Sequence, residues 1–325
     1  MSLLAAILLT ILILVVGLPL FFYLWTKRLA RMGEQLVPQA GDVIPVRGGG
    51  IHYVEMGNPR KQTLVMIHGL SGQLQHFTYA LVQDLAQDHH VIALDRPGCG
   101  YSPRDDDALA ELPEQARMIG EFFDKKGIKD PVLVGHSLGG AVSLAIALQR
   151  PRDIAALALI CPLTHPVDSA APAFKPLEIR SPRVRRWIGN TIAVPMGKRT
   201  AAETLRMVFA PESCPEDFLE NAGGALGLRP QAFVTASADL VWAEQSIRAQ
   251  ADQYPHLRTP GGVLFGAKDP IVPAKDHGPT MTQYGLSYQA LEGRGHMIPI
   301  TDPDACSEFI RGISVMARIP ATLVK

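Results

Sequence analysis

Cysteine is scarce in this sequence, with four residues in a chain of 325. Cys99, Cys161, Cys214 and Cys306 are widely scattered, and none forms a C-x-x-C pair or the spacing typical of metal ligands. The pattern argues against a disulfide framework and a zinc site, and we expect neither a metal nor a cofactor. Such cysteines are typical of small buried apolar side chains in a reducing compartment.

Net charge is also absent, since 31 Lys and Arg balance 31 Asp and Glu, and the basic residues form no stripe along the chain. This balance disfavours a nucleic-acid partner, which is normally bound through a basic surface. The sequence has no internal repeat and no low-complexity tract. A hydrophobic content of 47% allows a large core, so we expect one sizeable domain with an insertion.

Polar residues are nearly missing near the N-terminus, where positions 3–25 form an apolar run of 23 residues with Thr10 as its polar member. This run can cross a bilayer core of about 30 Å, and it predicts a transmembrane anchor over residues 1–26. A cleaved signal peptide is the alternative, but it would need a positive n-region, which Met1-Ser2 do not provide. Basic residues and aromatics instead mark the far end, which predicts a single-pass protein with its catalytic domain on the cytoplasmic side. The basic residues are Lys27, Arg28 and Arg31, and the aromatics are Phe21, Phe22, Tyr23 and Trp25.

After a polar tether at residues 27–42, the chain alternates between strand and helix patterns. The first two strands flank Gly48-Gly49-Gly50, which predicts a hairpin. Pro113 suits the first turn of a helix and Gly127 its C-terminal stop. Strands that alternate with helices imply a mostly parallel sheet with helices on both faces. The predicted strands are residues 43–47, 51–57, 64–67, 90–94, 131–134, 155–160, 262–266 and 286–291, and the predicted helices are residues 75–87, 113–126 and one that begins at Asp302-Pro303.

The motif Gly135-His136-Ser137-Leu138-Gly139 directly follows one of these strands and opens an apolar helix at residues 141–148. A G-x-S-x-G sequence needs this strand, turn and helix around it to expose a nucleophilic serine. Ser137 would lie at the apex of the turn with strained backbone angles, and the neighbouring glycines would let adjacent elements hold it there. The alternative is a glycine-rich turn with an ordinary surface serine. His136 has no expected role in the catalytic triad that Ser137 would form with an acid and a base.

Asp269 and His296 follow Ser137 along the chain in the order nucleophile, acid, base. A serine hydroxyl is a weak nucleophile without such partners. We expect His296 to act as the general base that takes the Ser137 proton and returns it to the leaving alcohol. Asp269 would fix the tautomer of the ring and stabilise the imidazolium. The alternatives are a turn aspartate before Pro270 and a surface loop histidine.

Five motifs together resemble those of one known family. They are His68-Gly69-Leu70, Asp95-x-x-Gly98-x-Gly100-x-Ser102, the Gly-His-Ser-Leu-Gly turn, Gly266-x-x-Asp269-x-Ile-Val-Pro273, and Gly295-His296 followed by Asp302-Pro303. From about residue 43 to 325 the chain resembles the α/β-hydrolase superfamily. The resemblance implies an α/β-hydrolase fold with an eight-stranded, mostly parallel sheet, a core of residues 43–163 and 259–325, and a helical cap at 164–258. With its N-terminal anchor, the chain looks most like monoacylglycerol-lipase-type hydrolases.

The resemblance also implies an oxyanion hole of two backbone N–H groups, Leu138 after the nucleophile and Leu70 after His68-Gly69. His68-Gly69 could also simply form a tight turn. The two explanations are compatible, because such a turn would aim the Leu70 amide. We expect a structural role for the loop from Asp95 to Ser102. Cys99 in that loop is not accompanied by the motif of an activating base.

Between Lys175 and Arg199 the predicted cap carries seven basic residues and one acidic residue, Glu178. Trp187 and Ile188 lie among them, as in an interfacial segment, so this edge is expected to touch anionic headgroups and admit lipid from the membrane. The alternative is a solvated helix face balanced by the acidic residues that follow. The basic residues are Lys175, Arg180, Arg183, Arg185, Arg186, Lys198 and Arg199, and the acidic ones are Glu203, Glu212, Glu216, Asp217 and Glu220.

These features predict a membrane-anchored serine hydrolase that cleaves carboxylic esters of lipophilic substrates, such as a monoacylglycerol, through an acyl-enzyme on Ser137. A carbon–carbon bond hydrolase of the ring-cleavage-product type is the alternative, because it would use the same triad. Epoxide hydrolases and haloalkane dehalogenases share the fold of this family, but they form an alkyl ester on an aspartate. A serine at position 137 argues against both classes. A non-catalytic binding protein on this scaffold would usually have a broken triad.

Overall fold

The computed structural model describes residues 3–317, apart from the side chain of Ala6, and the predictions for residues 1–2 and 318–325 lie outside it. Eight strands form one sheet: β1 (Asp42–Val46), β2 (Gly49–Gly57), β3 (Thr63–Ile67), β4 (His90–Leu94), β5 (Val132–His136), β6 (Ala156–Ile160), β7 (Gly261–Gly266) and β8 (Leu286–Leu291). Their order is β1-β2-β4-β3-β5-β6-β7-β8. β1 and β2 form an antiparallel hairpin and β2 is antiparallel to β4, whereas the other neighbours are parallel.

The predicted eight-stranded, mostly parallel sheet is confirmed. Every residue of β5, β6 and β7 is buried, which requires cover on both faces of the sheet centre. This burial explains why these strands appear in the sequence as short, continuous apolar runs without polar alternation. The parallel arrangement brings the carboxyl ends of β3 to β8 to one edge of the sheet, where ligand sites of such sheets lie.

Twelve α-helices lie in the described part of the chain. They are α1 (Leu3–Leu12), α2 (Leu18–Leu36), α3 (Gln75–Thr78), α4 (Leu81–Leu85), α5 (Leu112–Lys126), α6 (Leu138–Gln149), α7 (Pro182–Ile188), α8 (Val194–Phe209), α9 (Pro230–Ala251), α10 (Ala274–His277), α11 (Ile298–Thr301) and α12 (Pro303–Met316). α5 has Pro113 in its first turn and ends at Gly127 with φ 74°, as predicted. The single helix predicted over residues 75–87 is wrong, because the backbone at Ala80 (φ −146°, ψ −46°) separates α3 from α4.

Two pairs of helices cover the sheet. α5 packs against α6, and this pair contacts β1, β2, β3, β5 and β6. α4 packs against α12, and this second pair contacts β2 and β4 to β7. The enclosed side chains form one continuous apolar core that includes Phe122, Leu133, Leu144 and Phe265.

The N-terminal segment is one long helix from Leu3 to Leu36, in which a π-helical turn at Ile13–Gly17 joins α1 to α2. Its most apolar window has a mean hydropathy of 3.0, and none of that window is buried against the rest of the chain. Within residues 3–317 it is the single helix long and apolar enough to cross a membrane. A helix of this kind is compatible with a membrane anchor and with a signal sequence.

The tether predicted for residues 27–42 is wrong for its first part, because α2 continues to Leu36 and packs against the segment between β6 and β7. Thr26, Leu29, Ala30 and Gly33 are buried on one face of α2. The Thr26 hydroxyl donates to the Thr191 carbonyl (2.6 Å). Gly33 lies so close to that segment that a Cβ there would be 2.3 Å from the Ala225 carbonyl oxygen. These contacts over one helical face stabilise a helix in a segment whose polar residues suggested a tether.

The segment between β6 and β7 contains α7, α8 and α9, joined by 3-10 and π-helical turns. α9 is its longest helix, and it contacts both α5 and α6 of the core. The predicted exposed basic edge is wrong for Arg185, which is 1% exposed and pairs with Asp107 at 2.7 Å. Arg186 also pairs with Asp107 (3.0 Å), although its side chain is half exposed. Trp187 is 55% exposed beside these residues.

Candidate active site

Ser137 lies between β5 and α6 with φ 55° and ψ −121°, a conformation that L-residues rarely adopt. Its carbonyl accepts from the amides of Gly140 (2.9 Å) and Leu163 (3.0 Å), and its amide donates to the Ile160 carbonyl (3.0 Å). Close packing keeps the turn in this form, since a Cβ on Gly139 would lie 2.0 Å from the Ile67 carbonyl oxygen. The surrounding structure therefore holds the serine in a strained conformation.

Asp269 and His296 form a direct hydrogen bond. Asp269 follows β7, and His296 lies between β8 and α11. The His296 Nδ1 is 2.7 Å from Asp269 Oδ2, while Asp269 Oδ1 accepts from the amides of Ile271 (2.8 Å) and Val272 (2.9 Å). Because a carboxylate only accepts, Nδ1 carries the hydrogen and the neutral ring has its lone pair on Nε2.

The parallel strands bring Ser137 and His296 to the same edge of the sheet. The ring centroids of His136 and His296 are 4.9 Å apart, and His136 Nε2 donates to the His296 carbonyl (3.0 Å). Within residues 3–317, neither the Ser137 hydroxyl nor His296 Nε2 makes a hydrogen bond. Ser137 and His296 lie on neighbouring loops, and both residues are buried.

His136 was expected to have no role in the triad, and the structure gives it a supporting contact. Burial and the neighbouring His296 hold the pKa of His136 well below its usual value, so the ring is neutral. Since a carbonyl only accepts, the hydrogen of His136 lies on Nε2. The ring therefore anchors the backbone of the His296 loop. The local sequence around His136 does not indicate this contact, because the partner, His296, is 160 residues away along the chain.

Two backbone amides next to Ser137 have no partner in the described part of the chain, Leu70 and Leu138. Leu138 is the first residue of α6, where amides have no helical acceptor. Leu70 follows Gly69, and a Cβ on Gly69 would lie 2.8 Å from the Ser137 Cβ and 3.3 Å from its Oγ. These are the two amides that sequence reasoning selected, and their position beside the serine suits the binding of an oxygen anion.

The loop after β4 is built around the buried carboxylate of Asp95. Asp95 accepts from the amides of Leu74 and Tyr101, each at 2.8 Å, and from the ring of His52 at 2.7 Å. Ser102 donates to the Asp95 carbonyl (2.7 Å). The loop thus has the structural contacts that the sequence suggested. Burial raises the pKa of Cys99 in this loop to about 12, which leaves it a protonated thiol and a poor nucleophile.

Cys161, Asp269 and His296 place three potential metal ligands within 4.8 Å of one another. The chemistry of this set disfavours a metal. Asp269 Oδ2 and His296 Nδ1 are already bonded to each other at 2.7 Å. Burial and the nearby Asp269 raise the pKa of Cys161 well above its usual value, so the thiol keeps the proton that a metal would have to displace.

A carboxylate from the segment between β6 and β7 reaches the loop of His296. Glu212 accepts from the Gly295 amide with its two oxygens (2.9 and 3.2 Å) and from the Thr301 hydroxyl (3.2 Å). Gly295 has no room for a side chain, since a Cβ there would lie 2.2 Å from the Ala210 carbonyl oxygen. In the sequence Glu212 belongs to a stretch of acidic residues that could balance a solvated helix face, and nothing local indicates this contact.

The family model for the alpha/beta hydrolase fold matches residues 62–303. An uncharacterized hydrolase of Bacillus subtilis is 25% identical over 277 residues, which are 82% of this chain and 94% of the relative. An (E)-2-((N-methylformamido)methylene)succinate hydrolase of Acinetobacter baylyi is 27% identical over 279 residues, covering 80% and 92% of the two chains. A monoacylglycerol lipase of Xenopus laevis is 30% identical over 156 residues, covering 46% and 44%. The crystal structure of a membrane phospholipase A matches with a TM-score of 0.66 and 20% identity, over 97% of this chain and 99% of that one.

Proposed function

Because this chain belongs to the α/β-hydrolase family, we propose that it is a membrane-anchored serine hydrolase that cleaves carboxylic esters of lipophilic substrates. One observation carries the proposal. A strained serine lies beside a histidine whose Nδ1 is held by Asp269 at 2.7 Å, and two amides next to the serine have no partner among residues 3–317. Nucleophilic acyl transfer needs this combination of groups.

In the proposed reaction, the Ser137 oxygen attacks the ester carbonyl while its proton passes to His296 Nε2. The tetrahedral intermediate then collapses, the imidazolium returns the proton to the leaving alcohol, and an acyl-serine remains. Water repeats the sequence through the same base and releases the carboxylic acid. Asp269 holds the Nδ1–H bond throughout and stabilises the imidazolium.

The amides of Leu70 and Leu138 would donate to the oxyanion of each tetrahedral intermediate. Because both are backbone groups, their side chains do not matter for this role. Loss of one such donor typically lowers kcat by about 10²–10³, which corresponds to roughly 3–4 kcal/mol. The rigid turn at Ser137 and the close approach of Gly69 support a hole that is formed before the substrate binds.

The lipophilic substrate class is proposed from the N-terminal helix. The longer part of this helix, before Thr26, is exposed and apolar, while the shorter part after Thr26 is packed on the segment between β6 and β7. If the apolar half spans a bilayer, this segment lies at the membrane surface. Trp187 (55% exposed) and Met196 (51% exposed) then face the lipid beside the exposed cations Arg183, Lys198 and Arg199. Relatives that include a monoacylglycerol lipase are compatible with this class.

Labelling with a fluorophosphonate tests the chemistry. We expect the purified full chain to be labelled and the Ser137→Ala variant not to be. Ser71→Ala is the matched control, because Ser71 is an exposed serine in the loop next to Leu70 and also has a positive φ of 54°. An unlabelled parent protein would refute the enzyme proposal, and labelling that survives in Ser137→Ala would refute the serine.

Turnover of medium-chain monoacylglycerols against vinylogous diketones separates an ester hydrolase from a carbon–carbon bond hydrolase. We expect hydrolysis of the monoacylglycerol.

Reversal of charge at Arg183 and Lys198 tests the proposed contact with the membrane surface. It is expected to lower activity on substrate in anionic vesicles but not on a water-soluble ester. If the charge-reversed variant kept the parent's activity on substrate in anionic vesicles, the lipid contact would be refuted. Compartment-specific reporters fused to the C-terminus test the proposed cytoplasmic orientation, which an extracytoplasmic signal would overturn.

A further inference from the structure

Arg96 is a fully buried cation, and the proposed mechanism does not use it. It lies next to residues 68–70, the loop that carries the proposed oxyanion donor Leu70 and is called the oxyanion loop below. Its guanidinium donates to four acceptors, two of which are carbonyls of that loop. The acceptors are the carbonyls of His68 (2.9 Å) and Gly69 (3.0 Å), the Gln115 side chain (2.7 Å) and the Asp239 carboxylate (2.7 Å). Such a fixed set of donors is typical of arginine used to hold geometry.

The Gly69 carbonyl also accepts from the His68 ring. His68 Nε2 accepts from the Arg96 amide (3.0 Å), so the ring hydrogen is on Nδ1, which is 2.9 Å from the Gly69 oxygen. Burial and the Arg96 charge hold the pKa of His68 well below its usual value, so the ring stays neutral in this role. The Gly72 amide also donates to this oxygen (3.3 Å), so two buried side chains and one turn amide together fix the direction of the carbonyl.

The peptide between Gly69 and Leu70 is planar and trans, so its carbonyl and its N–H point in opposite directions. Donors that hold the Gly69 oxygen on one side therefore turn the Leu70 N–H to the other side. Gly69 itself lies against Ser137, as its close approach to the serine Cβ shows. The orientation of the Leu70 amide thus depends on what holds the carbonyl.

We propose that Arg96 is a positioning residue that aims the Leu70 N–H at the oxyanion, and that Asp239 of α9 holds Arg96 in place. This inference rests on the proposed function. Asp239 is fully buried and pairs with Arg96 through Oδ2 and with Arg104 through Oδ1 (2.6 Å). The geometry of the oxyanion hole is therefore set in part by a carboxylate that the segment between β6 and β7 supplies.

Arg104 provides a matched control for Arg96. Both guanidinium groups are almost fully buried and both pair with Asp239. Arg104 donates its other hydrogen bond to the Pro97 carbonyl (3.0 Å), and it makes no hydrogen bond to residues 68–70 in the described structure. Arg96→Lys and Arg104→Lys each replace a forked donor by a point charge in the same ion-pair cluster, so they differ in the contact with the oxyanion loop.

The test compares kcat and KM for a chromogenic ester, inhibition by an alkyl trifluoromethyl ketone, and thermal unfolding in detergent. The ketone adds to the serine and leaves an oxyanion in the same hole. We expect Arg96→Lys to lower kcat about 10- to 100-fold, less than the loss of a whole donor, with KM nearly unchanged. Ketone inhibition should weaken by the same factor, whereas Arg104→Lys should keep kcat within about threefold of the parent.

Equal losses of kcat in the two variants, or a loss confined to KM, would overturn the inference. If Arg96→Lys does not fold, Asp239→Asn replaces it, because this change keeps Arg96 and the side-chain shape but removes the charge that holds the guanidinium. A kcat of Asp239→Asn equal to that of the parent would then overturn the proposal. Failure of the proposed function is distinct, since the parent protein itself would then neither be labelled nor turn over the ester.

Discussion

Replacement of Asp269 by Asn tests the proposed triad through the tautomer of His296. Asp269 Oδ1 accepts from two backbone amides, at 2.8 and 2.9 Å, and Oδ2 faces His296 Nδ1. In Asp269→Asn the amide oxygen must stay with the two backbone donors, which turns the NH₂ group toward the ring. Nδ1 must then accept, and the hydrogen moves to Nε2.

With its hydrogen on Nε2, His296 cannot take the proton of Ser137. The corresponding change in a serine triad costs about 10⁴ in kcat, or roughly 5 kcal/mol at 1.36 kcal/mol per tenfold. We expect a loss of that order here, because the two amide donors leave the Asn side chain no freedom to rotate. The fold should persist, since the new side chain has nearly the same shape.

The measurement is kcat on a soluble chromogenic ester together with the rate of fluorophosphonate labelling. Asp276→Asn serves as the control, because Asp276 is an exposed carboxylate in α10, seven positions further along the chain. Its kcat should match that of the parent. A kcat for Asp269→Asn within tenfold of the parent, with an unchanged unfolding temperature, would refute the assigned tautomer and with it the role of Asp269.

Three further changes follow from the packing. Burial lowers the pKa of His76 to about 4, so the unfolded state takes up the proton at a higher pH than the folded state. The free energy of unfolding therefore falls as the pH drops from about 6.5 to 4, by up to roughly 3 kcal/mol. His76→Gln should flatten this part of a pH series of unfolding temperatures. Gly139→Ala should abolish labelling and yield of folded protein, because its Cβ would lie 2.0 Å from the Ile67 carbonyl oxygen. Gly33→Leu should lower the unfolding temperature while Ser137 is still labelled, since a Cβ at Gly33 meets the Ala225 carbonyl at 2.3 Å; an unchanged temperature would contradict the packing of α2.

Most of the sheet could be predicted because each strand carries its own local signal. The apolar runs that became β3 to β6 are bounded by turn residues, and the turn at Ser137 is announced by its flanking glycines. The proximity of Ser137, Asp269 and His296 could also be anticipated, because each follows a strand and the ends of these strands meet at one edge of a parallel sheet.

Features that depend on contacts between distant segments could not be predicted in this way. The polar residues after Lys27 suggested a tether, but this stretch is a helix on which Thr26 contacts Thr191 and Gly33 contacts Ala225, more than 160 residues later. Arg185 looked like one cation in a basic run until Asp107 was found beside it. Periodicity within one segment holds no information about such partners.

The segment between β6 and β7 contributes two buried side-chain contacts to the candidate active site. It supplies Glu212 to the amide before His296 and Asp239 to the guanidinium behind the oxyanion loop. Removal of Glu212 would leave the buried Gly295 amide without its acceptor, and removal of Asp239 would leave the buried Arg96 without its counter-charge. The second case is costly because a buried charge has no solvent to stabilise it. Exchange of this segment between related hydrolases should therefore preserve activity only where both carboxylates are retained, whatever its other residues contribute to substrate choice.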